Sequence, residues 1–197
     1  RLRGHSLRTT PLTLNFPYPE IELVAQGVTD KEGTLHLPFW VSAPSGRGGE
    51  LRVASVDVRN RPTFRSVLRS PVKPDLIESM VGPTGSIRLL VGQDGALDLY
   101  SLPPSLELPA QGSRFVEVGG GVLYAQLSQL PESDSFGGGL ALGVLRRMSD
   151  NPSMRLAVSW LNFEDKELMT SESIDLPEGS QLEQALVVGE SFWLLYR

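Results

Sequence analysis

Few residues in this chain could do bond chemistry. It carries two histidines, His5 and His36, and no cysteine. Zinc asks for three or four ligands drawn from Cys, His and carboxylates, so no metal site is expected. Thiolate nucleophiles and disulfides are ruled out with cysteine. His36 alternates with Leu35 and Leu37, which reads as a polar residue on a sheet face rather than a ligand. That leaves the carboxylates of two loops, Glu132 and Asp134, then Glu164, Asp165 and Glu167. A pair of carboxylates at the right separation can hydrolyse a glycosidic bond, and Asp134 and Asp165 are the residues for that alternative. An acidic surface also sets such side chains together by chance, and solvated loops are the expectation.

Phosphate and acyl chemistry leave no trace either. There is no Gly-x-Ser-x-Gly elbow, no Gly-x-Gly-x-x-Gly fingerprint and no Walker loop. Gly119-Gly120-Gly121 and Gly137-Gly138-Gly139 fall between predicted strands, where they lack the amide cradle and dipole of a helix start. No catalytic, cofactor-binding or metal-binding residue is assigned, and no cofactor is expected. Trp40, Trp160 and Trp193 sit in apolar strands, where large aromatics mostly fill cores. An exposed tryptophan would instead offer a stacking or interface platform.

The elements that would position these side chains are strands. Pro11, Pro17 and Pro19 around Leu12-Thr-Leu-Asn-Phe16 suit an edge strand or an extended arm. Glu20–Val24 and Thr34–Val41 alternate across the turn Thr29–Gly33 and predict a hairpin. Ala43–Gly49 reads as a linker or mobile loop. It divides an N-terminal arm and hairpin, residues 1–45, from a repetitive β domain, residues 46–197, unless the two form one continuous domain. Glu50–Val58 sends Leu51, Val53, Ser55 and Asp57 to one face and Arg52, Ala54, Val56 and Val58 to the other, so its apolar side switches midway. A helical turn competes with a strand over Lys73–Met80. Asp94-Gly95 predicts a tight hairpin. Further strands follow at Leu140–Met148, Met154–Phe163 and Glu167–Leu176. In all, about fourteen strands and no convincing helix predict an all-β, antiparallel fold of repeated hairpins.

One pattern recurs. Ser105-Leu-Glu-Leu-Pro109 precedes Ser113–Tyr124, and Ser173-Ile-Asp-Leu-Pro177 precedes Leu186–Gly189 and Phe192–Tyr196. Each reads as a strand stopped by proline, a polar turn, a strand into Val-Gly, a tight turn and an apolar strand ending in tyrosine. Leu68–Pro71 with Met80–Gly82 and Ile87–Leu90 is a looser copy. Pro71 and Pro109 lie about 40 residues apart, near the period of four-stranded propeller blades. Pro109 and Pro177 keep that register only with an insertion over residues 130–153. Over about residues 50–197 the pattern resembles β-propeller blades, which implies a partial β-propeller-like fold, with a β-sandwich as the other arrangement. Asp94-Gly-Ala-Leu-Asp98-Leu is similar to the second half of the calcium loops of integrin-like propeller blades. That resemblance implies a calcium-stabilised adhesion module, although Leu90 and Gly92 stand where the earlier carboxylates belong.

Charge and composition bound the function. A net charge of −5 lacks the concentrated cationic face that nucleic acid requires. No run of 18 apolar residues occurs, so no membrane insertion by a helix is expected. Absence of cysteine tilts localisation weakly toward a compartment outside the cytoplasm. The last predicted strand reaches Arg197 without a turn, so the fold is expected to continue elsewhere, in further residues or in a partner. Together these features predict a non-enzymatic protein-interaction or scaffold module of a larger assembly. It would contact a protein partner or form a homo-oligomer through edge strands. The carbohydrate-active hydrolase and the calcium-stabilised module are the alternatives.

Overall fold

The computed structural model describes residues 14–82, 85–104, 109–116, 121–130, 139–147, 154–161, 167–170, 174–177, 180, 182–188 and 191–197. Sixteen strands and no helix lie among them. In the first sheet, β3 (Leu35–Ser42), β4 (Gly49–Val56) and β5 (Pro62–Ser70) form a meander, with β1 (Ile21–Val24) and β2 (Val28–Thr29) both paired to β3. The second sheet runs β6 (Leu76–Val81), β7 (Ile87–Gln93), β8 (Ala96–Leu102) and β9 (Gln111–Val116) in chain order. In the third, β10 (Val122–Leu130), β11 (Gly139–Arg147) and β12 (Met154–Leu161) are followed by β13 (Glu167–Thr170) and β14 (Ile174–Leu176), which both pair with β12. A hairpin of β15 (Leu182–Val188) and β16 (Ser191–Tyr196) follows. Every pairing is antiparallel.

Local chemistry explains the turns. Asp94 and Gly95 both take positive φ, 50° and 69°, as a two-residue type I′ hairpin requires. The hairpin expected from Glu20 to Val41 forms, with Asp30–Gly33 as its turn. Ala43–Gly48 joins β3 to β4, which pair along their whole length. Lys73–Met80, where a helical turn competed, enters β6. There Leu76 and Met80 pack toward the third sheet and Ile77 toward the first, and the antiparallel ladder from Leu76–Gly92 to Val81–Ile87 makes the segment a strand.

The second sheet is the centre of the packing. Ile87, Leu89 and Val91 of β7 meet Trp40, Leu51 and Val53 of the first sheet. Leu90, with Leu97 and Leu99 of β8, meets Ala125, Leu127, Leu142, Val144 and Leu161 of the third. Burial on both faces is why Ile87-Arg-Leu-Leu-Val91 reads as a nearly unbroken apolar run rather than an alternating one. The described end of the expected arm, residues 14–19, rests on the outer face of the first sheet. Phe16 and Tyr18 cluster there with Phe39 and Phe64, ring centroids 4.9 to 6.2 Å apart, and the Arg52 guanidinium lies 4.8 Å over the Tyr18 ring.

The recurrent Val-Gly pattern marks unlike places. In two copies its flanking strands form the hairpins β6–β7 and β15–β16, whereas β9 and β10 belong to different sheets. It signals a strand, a turn and a strand, and carries no information on whether the two strands pair.

Candidate functional site

The two faces of β4 set up the site. Ala54 and Val56 are buried on the aromatic side, and Leu51 and Val53 are buried toward the second sheet. Cross-strand register carries that second face across the sheet in rows. Trp40, Leu51 and Leu68 form an apolar row, Pro38, Val53 and Arg65 a mixed one, and His36, Ser55 and Thr63 a polar one. The interface between the first two sheets therefore changes from apolar to polar along the strands. At its polar end it opens into a cavity of about 570 Å³, closed on the far side by Ile87, Leu102, Pro103 and Pro104.

His36 is buried in this wall and bonded at both ring nitrogens. Nδ1 lies 2.8 Å from Ser55 Oγ and Nε2 3.0 Å from Asp30 Oδ2. A carboxylate can only accept, so Nε2 carries a proton and donates to Asp30, while Nδ1 and the Ser55 hydroxyl share the second bond. The other Asp30 oxygen accepts from the Thr34 N–H at 2.8 Å, which holds the carboxylate at the β2–β3 turn. Burial pushes the Asp30 carboxyl up, but the bonds from His36 and the Thr34 N–H and the His36 charge outweigh it. The group sits below the usual carboxylate range.

A serine, a histidine and a carboxylate in series can pass a proton away from the serine hydroxyl. Acyl transfer also needs donors aimed at an oxyanion. Ser55 lies mid-strand in β4, which is paired on both edges, so the backbone N–H groups around it are spent on the ladder. The relay orients a hydroxyl at the cavity wall without the rest of an acyl-transfer centre.

The charged residues of the cavity differ in how well they are matched. The Asp57 carboxylate accepts from the Arg59 and Arg61 N–H groups and pairs with the Arg61 guanidinium. These bonds, the Arg61 backbone bond first, hold its carboxyl below the usual range. Arg65 is 9% exposed. Its Nη1 donates to the Pro103 carbonyl at 3.0 Å, and its buried Nη2 has no hydrogen-bond partner among the described residues. Burial pushes the guanidinium below the usual arginine range.

Of the described residues weighed in sequence for chemistry, His36 lines this cavity. It is buried, as a polar sheet-face histidine with two partners can be. Asp94 occupies the β7–β8 turn, and both Asp98 oxygens accept from Arg114, at 2.7 and 2.9 Å. No group of three or more histidines and carboxylates that could hold a metal occurs among the described residues. His5, Glu132, Asp134, Glu164 and Asp165 lie outside the described residues, as do Gly119, Gly120, Gly137 and Gly138, while Gly121 and Gly139 are described and Glu167 begins β13. The tryptophans divide: Trp40 and Trp160 are buried, but Trp193 is 61% exposed.

Sequence reasoning missed Asp30, Ser55 and Arg65 as partners of one cavity. The signal for Ser55 was the polar switch along β4, and that for Arg65 was a lone cation between Phe64 and Val67. No protein-family model matches the chain, nor does any curated protein. No helix among the described residues is long and apolar enough to cross a membrane.

Proposed function

We propose that this chain is a non-enzymatic protein-interaction module, a β-propeller-like scaffold of stacked meanders that associates through the outer edge of β16. The observation that carries this reading is the exposure of Trp193, Leu195 and Tyr196, at 61%, 57% and 46%. Trp193 and Leu195 share one face of β16, whose described partner is β15 alone. An antiparallel edge with an apolar face invites another strand.

The occupant that this reading favours is a second copy. Two hairpins joined by antiparallel β16–β16 pairing make one sheet of four strands, the width of the second sheet. The contact is isologous, so the Trp193 and Leu195 side chains of the two copies come to lie side by side on one face of the joined sheet. Light scattering tests it: the expected mass is twice 21.5 kDa. The double variant Trp193→Lys with Leu195→Lys should give the single mass with an unchanged far-ultraviolet circular dichroism spectrum. A wild-type chain that stays at the single mass up to high concentration would refute the second-copy reading.

A further inference from the structure

Among the charged groups around the cavity between the first and second sheets, Asp30 and Asp57 are matched and the buried cation is not. Asp30 is held by His36 and the Thr34 N–H, and Asp57 by Arg61 and two backbone N–H groups. Glu32 lies exposed at the rim. Arg65 faces none of these carboxylates in an ion pair, its Nη2 has no partner among the described residues, and its one bond is to a neutral carbonyl. A buried guanidinium left this way is costly unless an acceptor of opposite charge reaches it. Beside it the wall is apolar, formed by Val53, Ile87 and Leu102, and the cavity, about 570 Å³, is within the range of small-molecule sites.

We propose that this cavity binds a small organic carboxylate. The ligand's charged end meets Arg65, and its apolar body lies against Val53, Ile87 and Leu102. The Ser55 hydroxyl, aimed by His36, marks the polar side of the site. One anionic group is the limit, because Asp30 and Asp57 repel a second. The site is separate from the β16 edge and does not depend on the association proposed there.

Benzoate is the probe, with benzyl alcohol as its neutral counterpart and sodium chloride at equal ionic strength as the control. Equilibrium dialysis on the full chain should show saturable benzoate binding with a dissociation constant of about 1 mM or tighter. A melting temperature that rises with benzoate and not with chloride should accompany it. Arg65→Lys keeps the charge and loses the planar fork, so binding should weaken about tenfold or more. Arg65→Met should abolish it. No saturable benzoate binding to the wild type overturns the proposal, as does equal binding by Arg65→Met. Should Arg65→Met fail to melt cooperatively, the alcohol decides: binding as tight as that of benzoate overturns the assignment, and binding at least about tenfold weaker supports it.

Discussion

The two interfaces of the second sheet are built from the same strand and end differently. Toward the third sheet, Leu90, Leu97 and Leu99 meet five aliphatic residues, and a polar contact crosses from Glu78, whose carboxylate accepts from the Leu127 N–H at 3.0 Å. Toward the first sheet, Ile87, Leu89 and Val91 begin in an equally apolar cluster and then run out against Pro38, Val53 and Arg65, and beyond them His36, Ser55 and Thr63. Continuous packing closes one interface, and a polar row leaves a cavity in the other. A site arises here where the face opposite a buried strand stops being apolar.

The largest effect should come from the closed side. Leu90→Ala removes a fully buried side chain and should cost about 2–5 kcal/mol in urea unfolding. Leu102→Ala, equally buried but bordering the cavity, should fall at the low end of that range, because the space it vacates joins one already there. Equal losses would mean that the cavity wall is packed as tightly as the closed interface.

The carboxylates of the two sides should answer pH with opposite sign. At Asp30 the net shift is downward, so its contribution is present above the unfolded carboxylate pKa and is lost as pH falls through the lower folded value. Asp30→Asn should cost about 1 kcal/mol at neutral pH and flatten that acid limb. Glu78 is pushed up by burial, partly opposed by the Leu127 N–H. The folded chain then holds this proton longer than the unfolded chain, and stability declines as pH rises from the ordinary carboxylate range through the raised value. Glu78→Gln keeps an acceptor for Leu127 and removes the charge, so it should flatten the decline and gain stability at neutral pH. Thermal melts from pH 3 to pH 8 (about that span) read both slopes, and slopes of the same sign would erase the distinction.

The smallest effect belongs to the exposed Asp98–Arg114 pair on β8 and β9. Its guanidinium is 42% exposed, and surface pairs contribute below about 1 kcal/mol. With both Asp98 oxygens so engaged, millimolar calcium should leave the melting temperature unchanged. A calcium-dependent rise would revive the adhesion-module reading centred on Asp94 and Asp98.

Much of the architecture was legible in the chain because it is local. Alternation along Glu50–Val58 assigned the two faces of β4, and Asp94-Gly95 announced a tight hairpin. The site was far less legible. Residues 30, 36, 55 and 65 come together through the pairing of three strands, and Arg65 meets Pro103, 38 positions away.

What the sequence determined by itself is therefore the set of strands, their turns and the face each side chain takes, since steric preference and a two-residue period act over neighbouring residues. The tertiary structure alone decided what stands opposite each face. It buried Trp40 and Trp160 and left Trp193 in solvent, though all three occupy similar apolar strands. It also made β6–β7 a hairpin and β9–β10 a crossing between sheets from nearly the same motif. Register and sheet stacking are set by the summed fit of distant side chains, and no window along the chain contains that sum.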